Sequence, residues 1–161
     1  MKTLLILRHA KSSWKDSDLP DHDRPLNKRG RRDAPKVGEL IKQENILPEI
    51  ILCSTARRAR DTLRAVIETS GYDGEIQYIP DLYQADVADI FTILGELDDR
   101  ISIAMLAGHN PELEELLRTI TDEDVHIPTA ALAQVSLPIF SWKEVPAGVC
   151  GELIRFWAPR G

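Results

Sequence analysis

Four basic side chains suited to binding or attacking a phosphoryl group each come soon after an apolar stretch of the sequence. They are Arg8, His9, Arg58 and His109. Arginine supplies a permanently charged, fork-shaped set of donors that matches the oxygens of a phosphoryl group. A neutral imidazole can displace the leaving group of a phosphoryl compound and hold the phosphate covalently. Together these residue types predict phosphoryl-transfer chemistry that needs neither a metal ion nor a cofactor.

Each of these residues also has a simpler interpretation. A lone histidine after a strand is more often a hydrogen-bonded loop residue than a nucleophile. His9 differs because burying it together with Arg8 at the end of a strand is costly without an anion. Residues 108–111, Gly-His-Asn-Pro, are typical of a turn from strand to helix, and that turn explains every one of them except His109.

The remaining basic side chains favour structural interpretations. We expect His22 and His126 to be non-catalytic because polar or loop-like sequence surrounds them, and Arg57 and Arg60 to form the solvated start of a helix. The basic run 28–32, Lys-Arg-Gly-Arg-Arg, has two interpretations. We favour the solvated first turns of a helix over a patch that docks a partner.

Strand-like and helical patterns alternate along the chain. The predicted strands are 3–7, 50–53, 75–79, 101–106, 131–137 and 152–157, and the predicted helices are 28–44, 59–69, 87–97 and 111–121. This alternation predicts an α/β fold, a three-layer α/β/α sandwich with a mostly parallel sheet. The carboxyl ends of parallel strands share one edge, where ligands bind, so the four basic residues are expected to converge there.

Particular residues predict where the helices begin and end. Asn27 is a candidate N-cap for the first helix, and Pro35 should kink that helix or mark a second start. Gly71 is expected to end the second helix. Asn110 is a candidate cap for the fourth, with Pro111 at its first position, and the positive end of that helix could point toward a bound anion.

Length and composition limit the class of protein. The 161 residues fit a single domain spanning 1–161, and no apolar run approaches the roughly 20 residues of a membrane helix. The N-terminal apolar run is too short for a signal peptide, so we expect a cytoplasmic protein. We also expect a monomer. The net charge of −6 argues against nucleic-acid binding. Cys53 and Cys150 lack metal-binding spacing and are expected to be buried thiols.

Several motifs resemble those of a known family. Residues 7–11, Leu-Arg-His-Ala-Lys, resemble the Arg-His-Gly signature of the histidine phosphatase (phosphoglycerate mutase-like) superfamily, with Ala10 in place of glycine. Residues 8–14, followed by 23–26 and Gly30, are similar to the SixA-type phosphohistidine phosphatase branch. Residues 54–62 resemble the second motif and select Arg58 over Arg57, and 108–111 resemble the second-histidine motif.

The resemblance implies roles for individual residues. His9 would become phosphorylated, Arg8, Arg58 and His109 would bind the phosphoryl group, and Arg24 would join them. Many superfamily members also have an acidic proton donor after the third strand. Here Asp81 and Asp86 are the candidates, although helix capping and solvation are the favoured interpretation of both.

Three functions remain open at this point. The first is a phosphatase that removes phosphate from a histidine-containing phosphotransfer protein in signalling, since an imidazole leaving group tolerates a weak or absent acid and a short chain leaves the site open. The second is a phosphatase of small phosphate monoesters. The third is a non-catalytic module that binds phosphohistidine or another anion.

Overall fold

A six-stranded sheet runs through the middle of the protein, whose residues 1–159 are described by a computed structural model. Its strands are β1 (Lys2–Arg8), β2 (Ile50–Ser54), β3 (Glu75–Ile79), β4 (Ile103–Gly108), β5 (Leu132–Leu137) and β6 (Glu152–Trp157). The spatial order is β3-β2-β4-β1-β5-β6. Strands β1 to β4 pair in parallel, whereas β5 is antiparallel to both of its neighbours. The predicted mostly parallel sheet is confirmed.

Helices cover both faces of the sheet. They are α1 (Lys28–Gln43), α2 (Arg57–Ser70), α3 (Val87–Gly95) and α4 (Glu112–Thr121). The β1 residues Leu4 and Ile6 belong to the core beneath α3 and α4, while Leu5 and Leu7 belong to the core beneath α1 and α2. A strand buried on both faces is apolar at every position, as parallel sheets require. The three predicted layers are therefore present.

Two of the predicted helix ends are confirmed, and the predicted cap at Asn110 is wrong. The Asn27 side chain accepts a hydrogen bond from the Gly30 N–H, and Gly71 ends α2 with a φ of 75°. Helix α1 continues through Pro35, so no second helix starts there. Asn110 does not cap α4, because Pro111 holds the N-cap position and no N–H among residues 1–159 donates to the buried Asn110 Oδ1. The Asn110 Nδ2 donates to the Ile127 carbonyl.

The two cysteines differ in burial. Cys53 lies in the buried strand β2, as expected, but Cys150 is exposed in the connection before the edge strand β6. The prediction of a second buried thiol is wrong because most of β6 and the segment before it lie at the surface. Within residues 1–159, no helix has the length and apolar character needed to cross a membrane.

The segment after β1 is held against the start of α1. Asn27 N–H donates to the Lys11 carbonyl, and Ser12 forms an isolated antiparallel bridge with Leu26. A Cβ atom on Gly30 would collide with that same Lys11 carbonyl oxygen, so glycine permits this close approach. These contacts fix the loop that begins with His9 at the carboxyl edge of the sheet.

Candidate active site

His9 and His109 meet at the carboxyl edge because β1 and β4 are neighbours. Arg8 lies opposite Gly108 in the register of these strands, and the His9 N–H donates to the Gly108 carbonyl at 3.1 Å. The two imidazole ring centroids are 5.1 Å apart, and both side chains are buried. Residues that are 100 positions apart in sequence are therefore brought together by one pair of strands.

The tautomer of His9 follows from its contacts. Its Nδ1 lies 2.7 Å from the Ala10 carbonyl oxygen, which can only accept, so Nδ1 carries the proton. The Nε2 lone pair is then available for attack. Burial lowers the pKa of His9 to about 3, so the ring is neutral at physiological pH. The Ala10 N–H donates to the Thr62 hydroxyl at 2.8 Å, which ties this loop to α2.

His109 is arranged as a neutral donor. Its Nε2 lies 2.8 Å from the Ser54 hydroxyl, which itself accepts a hydrogen bond from the Ala56 N–H. In the tautomer with its proton on Nδ1, His109 accepts a hydrogen bond at Nε2 from the Ser54 hydroxyl. That Nδ1 is buried and has no hydrogen-bond partner among the described residues. Burial, assisted by the charge of Arg58, lowers the pKa of His109 to about 4.

Arg58 is buried and held by Asp21. Its Nη1 donates to the Asp21 carbonyl at 2.8 Å and its Nη2 to the Asp21 carboxylate at 3.1 Å. The same carboxylate accepts from the Tyr83 hydroxyl at 2.6 Å and from Arg24 Nε at 3.0 Å. The Tyr83 hydrogen bond, opposed by partial burial and supported by the two arginines, lowers the pKa of Asp21 to about 2. Asp21 is therefore a permanent anion that orients Arg58.

Arg8 retains donors for an additional partner. Its Nη1 donates to the Ile127 carbonyl at 3.0 Å, whereas its buried Nε has no hydrogen-bond partner within residues 1–159. Burial lowers the pKa of Arg8, but an arginine guanidinium remains charged in proteins. A partly buried cation with a buried, unpaired donor is stabilised by a nearby anion.

A cavity of about 240 Å³ opens beside His109. Its lining residues are Asp21, Arg58, Tyr83, Gln84, His109, Asn110 and Glu112. The Tyr83 ring packs edge-on against His109, with centroids 5.6 Å apart. Gln84 has a φ of 64°, a left-handed conformation that is uncommon for residues other than glycine and is concentrated at functional sites. The cavity therefore combines cationic and neutral donors with two carboxyl groups.

The family is shown by a comparison with family models. The model of the histidine phosphatase superfamily, branch 1, matches residues 4–91 of the chain, which include His9, Arg24 and Arg58. The chain belongs to this superfamily. The protein is therefore a histidine-nucleophile phosphatase. This membership favours catalysis over the alternative of a non-catalytic binding module.

Similar proteins extend the match over nearly the whole chain. The SixA protein of Nakamurella multipartitia, named for phosphohistidine phosphatase activity, is 25% identical with a TM-score of 0.88 over 99% of this chain and 97% of its own. SixA of Agrobacterium tumefaciens is 29% identical, with a TM-score of 0.85 and 98% coverage of both chains. An uncharacterized chloroplastic protein of Arabidopsis thaliana is 34% identical over 89% of this chain and 70% of its own. The fold is phosphoglycerate mutase-like.

Three candidate site residues of the sequence analysis form no hydrogen bond with His9 or His109. The hydrogen bonds of Arg24 go to Asp21, Ser12 and Ser13, so Arg24 reaches the site through Asp21. Asp86 caps α3 in a capping box with Asp89. Asp81 lines a different cavity, of about 610 Å³, between β3 and α3. Neither acid candidate is brought to the two histidines.

Sequence reasoning missed several residues of the site. Ser54 lies in a recognised motif, but the sequence analysis assigned it no role, although its hydroxyl lies within hydrogen-bond distance of His109 Nε2. Asp21 precedes Arg24 by three positions, a spacing that indicates an ion pair, but nothing local connects Asp21 to Arg58. Tyr83 and Glu112 come to the cavity through tertiary folding. No local pattern marks either of them.

Proposed function

We propose that this protein is a phosphohistidine phosphatase of the SixA type, with His9 as nucleophile and a phosphorylated histidine-containing phosphotransfer protein as substrate. The observation that carries the proposal is the hydrogen bond from His9 Nδ1 to the Ala10 carbonyl. It holds the neutral ring in the tautomer whose Nε2 can attack phosphorus. The family membership and the two similar SixA structures support the same chemistry.

The reaction proceeds in two displacements. First the Nε2 lone pair of His9 forms a bond to phosphorus while the P–N bond of the substrate breaks, and the electron pair of that bond returns to the substrate nitrogen. A phosphohistidine ring that is protonated on its other nitrogen leaves as neutral imidazole. Water then attacks phosphorus, the bond to Nε2 breaks, and phosphate departs with both water hydrogens. His9 returns to its starting tautomer.

Three side chains are assigned to the phosphoryl oxygens. Arg58 and Arg8 supply permanent charge, and the unpaired Arg8 Nε and His109 Nδ1 supply donors. Such fixed donors stabilise the charge that develops on the equatorial oxygens in the transition state. Arg24 is assigned a supporting role, because it holds the Asp21 carboxylate that orients Arg58.

The acid–base character of the site supports phosphohistidine as substrate. An alkoxide leaving group needs a proton from the enzyme, whereas protonated phosphohistidine does not. Asp21 is committed to Arg58, Arg24 and Tyr83, and its low pKa keeps it ionised. Gln84, on the same cavity, carries no proton that it could transfer. Asp21 and Gln84 therefore supply no acid, which suits a substrate whose leaving group departs without acid catalysis.

One observation favours small phosphate monoesters as a second candidate. Glu112 lines the cavity next to His109, and its Oε2 is buried without a hydrogen-bond partner among the described residues. An ester leaving group requires an acid, and Glu112 is the carboxyl group of this cavity that the arginines do not engage.

A substrate comparison tests the proposal. The kcat/KM on a phosphorylated phosphotransfer domain should greatly exceed that on sugar phosphates and nucleotide monophosphates, and brief incubation should label the enzyme through an acid-labile bond. Glu112→Gln should leave the phosphohistidine reaction nearly unchanged, with the exposed Glu115→Gln as the matched control on α4. A preference for monoesters, with a loss of about 100-fold in Glu112→Gln, would instead establish the second candidate.

A further inference from the structure

The two helical layers carry opposite charge. Helices α1 and α2 contain ten basic and four acidic side chains, whereas α3 and α4 contain one basic and four acidic. The whole chain has a net charge of −6, so the positive layer is a local feature. Such an asymmetric field steers a negatively charged partner toward one face of the protein.

An arginine cleft lies within the positive layer. This cleft, of about 310 Å³, is lined by Arg31, Arg57, Arg64 and Asp61, with Pro25, Leu26 and Ala65 as its apolar part. The three arginines are exposed, and the single carboxylate, Asp61, pairs with Arg57 at 3.5 Å. Two positive charges therefore remain in excess around an apolar surface. A peptide that carries both carboxylates and apolar side chains matches this lining.

The arginine cleft borders the candidate active site. Arg57 immediately precedes Arg58, and the lining residues Pro25 and Leu26 directly follow Arg24. The Pro25 carbonyl accepts a hydrogen bond from the Ser13 N–H at 2.8 Å, so the loop after His9 runs along the same border. A protein whose phosphohistidine reached His9 would thus present neighbouring residues to this cleft.

An exposed tryptophan stands on that loop. Trp14 is 70% exposed, and the guanidinium carbon of the buried Arg24 lies 3.5 Å from its ring centroid. This stacking is a cation–π contact, and the hydrogen bonds of Arg24 to Asp21 and Ser12 hold the guanidinium in place. A large aromatic side chain that is held rigid in solvent resembles the anchors of protein interfaces.

We propose that Trp14 and the arginine cleft form one docking face for an acidic segment of the protein substrate. This inference rests on the proposed function and extends it, because it accounts for selection of a protein over a free phosphohistidine. It also assigns Arg31, in the basic run 28–32, to partner docking instead of solvation alone. Asp16 and Asp18, which are exposed and follow Trp14 by two and four positions in sequence, favour discrete acidic residues over the continuous charge of a nucleic acid.

Binding is measured on a His9→Ala background, so that the phosphorylated phosphotransfer domain is not consumed. The docking variant combines Arg31→Glu, Arg57→Glu and Arg64→Glu. The control combines Arg118→Glu, Lys143→Glu and Arg155→Glu, which are exposed elsewhere and change the net charge equally. The docking variant should bind the domain about tenfold more weakly or worse and with a smaller salt dependence, whereas the control should stay within about twofold. Trp14→Ala should weaken protein binding more than it lowers turnover of free phosphohistidine.

The outcomes separate the two proposals. Equal affinities of the docking and control variants for the domain would overturn the docking face. So would a single-stranded RNA that binds wild type more tightly than the domain does and whose binding is lost in the docking variant. With His9 restored, the docking variant should turn over free phosphohistidine within about twofold of wild type, which verifies the fold of the site. Selective, cleft-dependent binding without turnover of the phosphorylated domain would support the docking face and overturn the proposed function alone.

Discussion

Two histidines of this protein lie in opposite environments. His9 lies at the carboxyl edge of the sheet, and His126 lies in the connection between α4 and β5. At the edge, burial of the His9 ring lowers its pKa to about 3, opposed by the hydrogen bond to the Ala10 carbonyl and assisted by the charges of Arg58 and Arg8. In the connection, His126 is 76% exposed and its Nδ1 lies 2.7 Å from the Glu114 carboxylate. The first environment favours a neutral nucleophile, whereas the second offers an exposed hydrogen bond to a carboxylate. Surroundings, more than residue type, distinguish a reactive histidine.

The largest test of this contrast replaces one histidine from each region. His9→Ala should lower kcat by about 10⁴-fold or more, because the covalent step loses its nucleophile. His126→Ala should change kcat by less than about twofold, since an exposed contact with a carboxylate contributes little. Both variants are assayed for turnover of a phosphorylated phosphotransfer domain and for labelling of the enzyme. Comparable losses in the two variants would refute the distinction between the regions.

The next test concerns two arginines of α2 that differ in burial. Arg58→Ala should cost about 3 kcal/mol of transition-state stabilisation, as the loss of a preorganised oxyanion donor does. Arg60→Ala, on the exposed side of the same helix, is the matched control and should leave kcat/KM on free phosphohistidine nearly unchanged. Equal effects would mean that general positive charge, and not the placement of Arg58, supports the reaction.

A smaller effect is expected from the carboxylate that orients Arg58. Asp21→Asn should lower kcat/KM by about tenfold, because a charge-assisted hydrogen bond is replaced by a neutral one. Asp23→Asn, two residues away and exposed, is the control. In a double-mutant cycle, Asp21→Asn should have almost no effect once Arg58 is alanine. Additive losses would show that Asp21 acts independently of Arg58, which would contradict its role as a positioning residue.

Much of the fold could be predicted because the local signals agree with the tertiary structure. The β1 residues Leu4 to Leu7 are fully buried on both faces, and such a strand is apolar at each position. The helix ends at Asn27 and Gly71 follow from local hydrogen bonding and backbone freedom. The predicted cap at Asn110 is wrong because Pro111 takes the N-cap position, while the Asn110 Nδ2 binds a distant carbonyl, that of Ile127.

The candidate site was predictable only in part, for a related reason. His9, Arg58 and His109 all follow parallel strands, so topology alone places them at one edge. Asp21 and Tyr83 join that edge through the partners they meet after folding, since the Tyr83 hydroxyl reaches Asp21 across 62 positions of sequence. Contacts of that separation leave no periodic signal in the chain.

The smallest predicted effect concerns stability against acid. The unfolded chain binds a proton at His9 near pH 6.5, whereas the folded protein does so only near pH 3, so unfolding takes up a proton between these values. Stability is therefore complete above about pH 6.5 and falls as the pH drops. His9→Asn can keep a hydrogen bond to the Ala10 carbonyl but removes the titrating ring. Denaturant unfolding between about pH 6 and pH 4 should show a pH dependence shallower than wild type by about 1 kcal/mol per pH unit. His109→Asn should act in the same direction over a narrower range, because its folded pKa is about 4. An unchanged slope in both variants would mean that the two buried rings are protonated in the folded protein, and the neutral nucleophile would then be untenable.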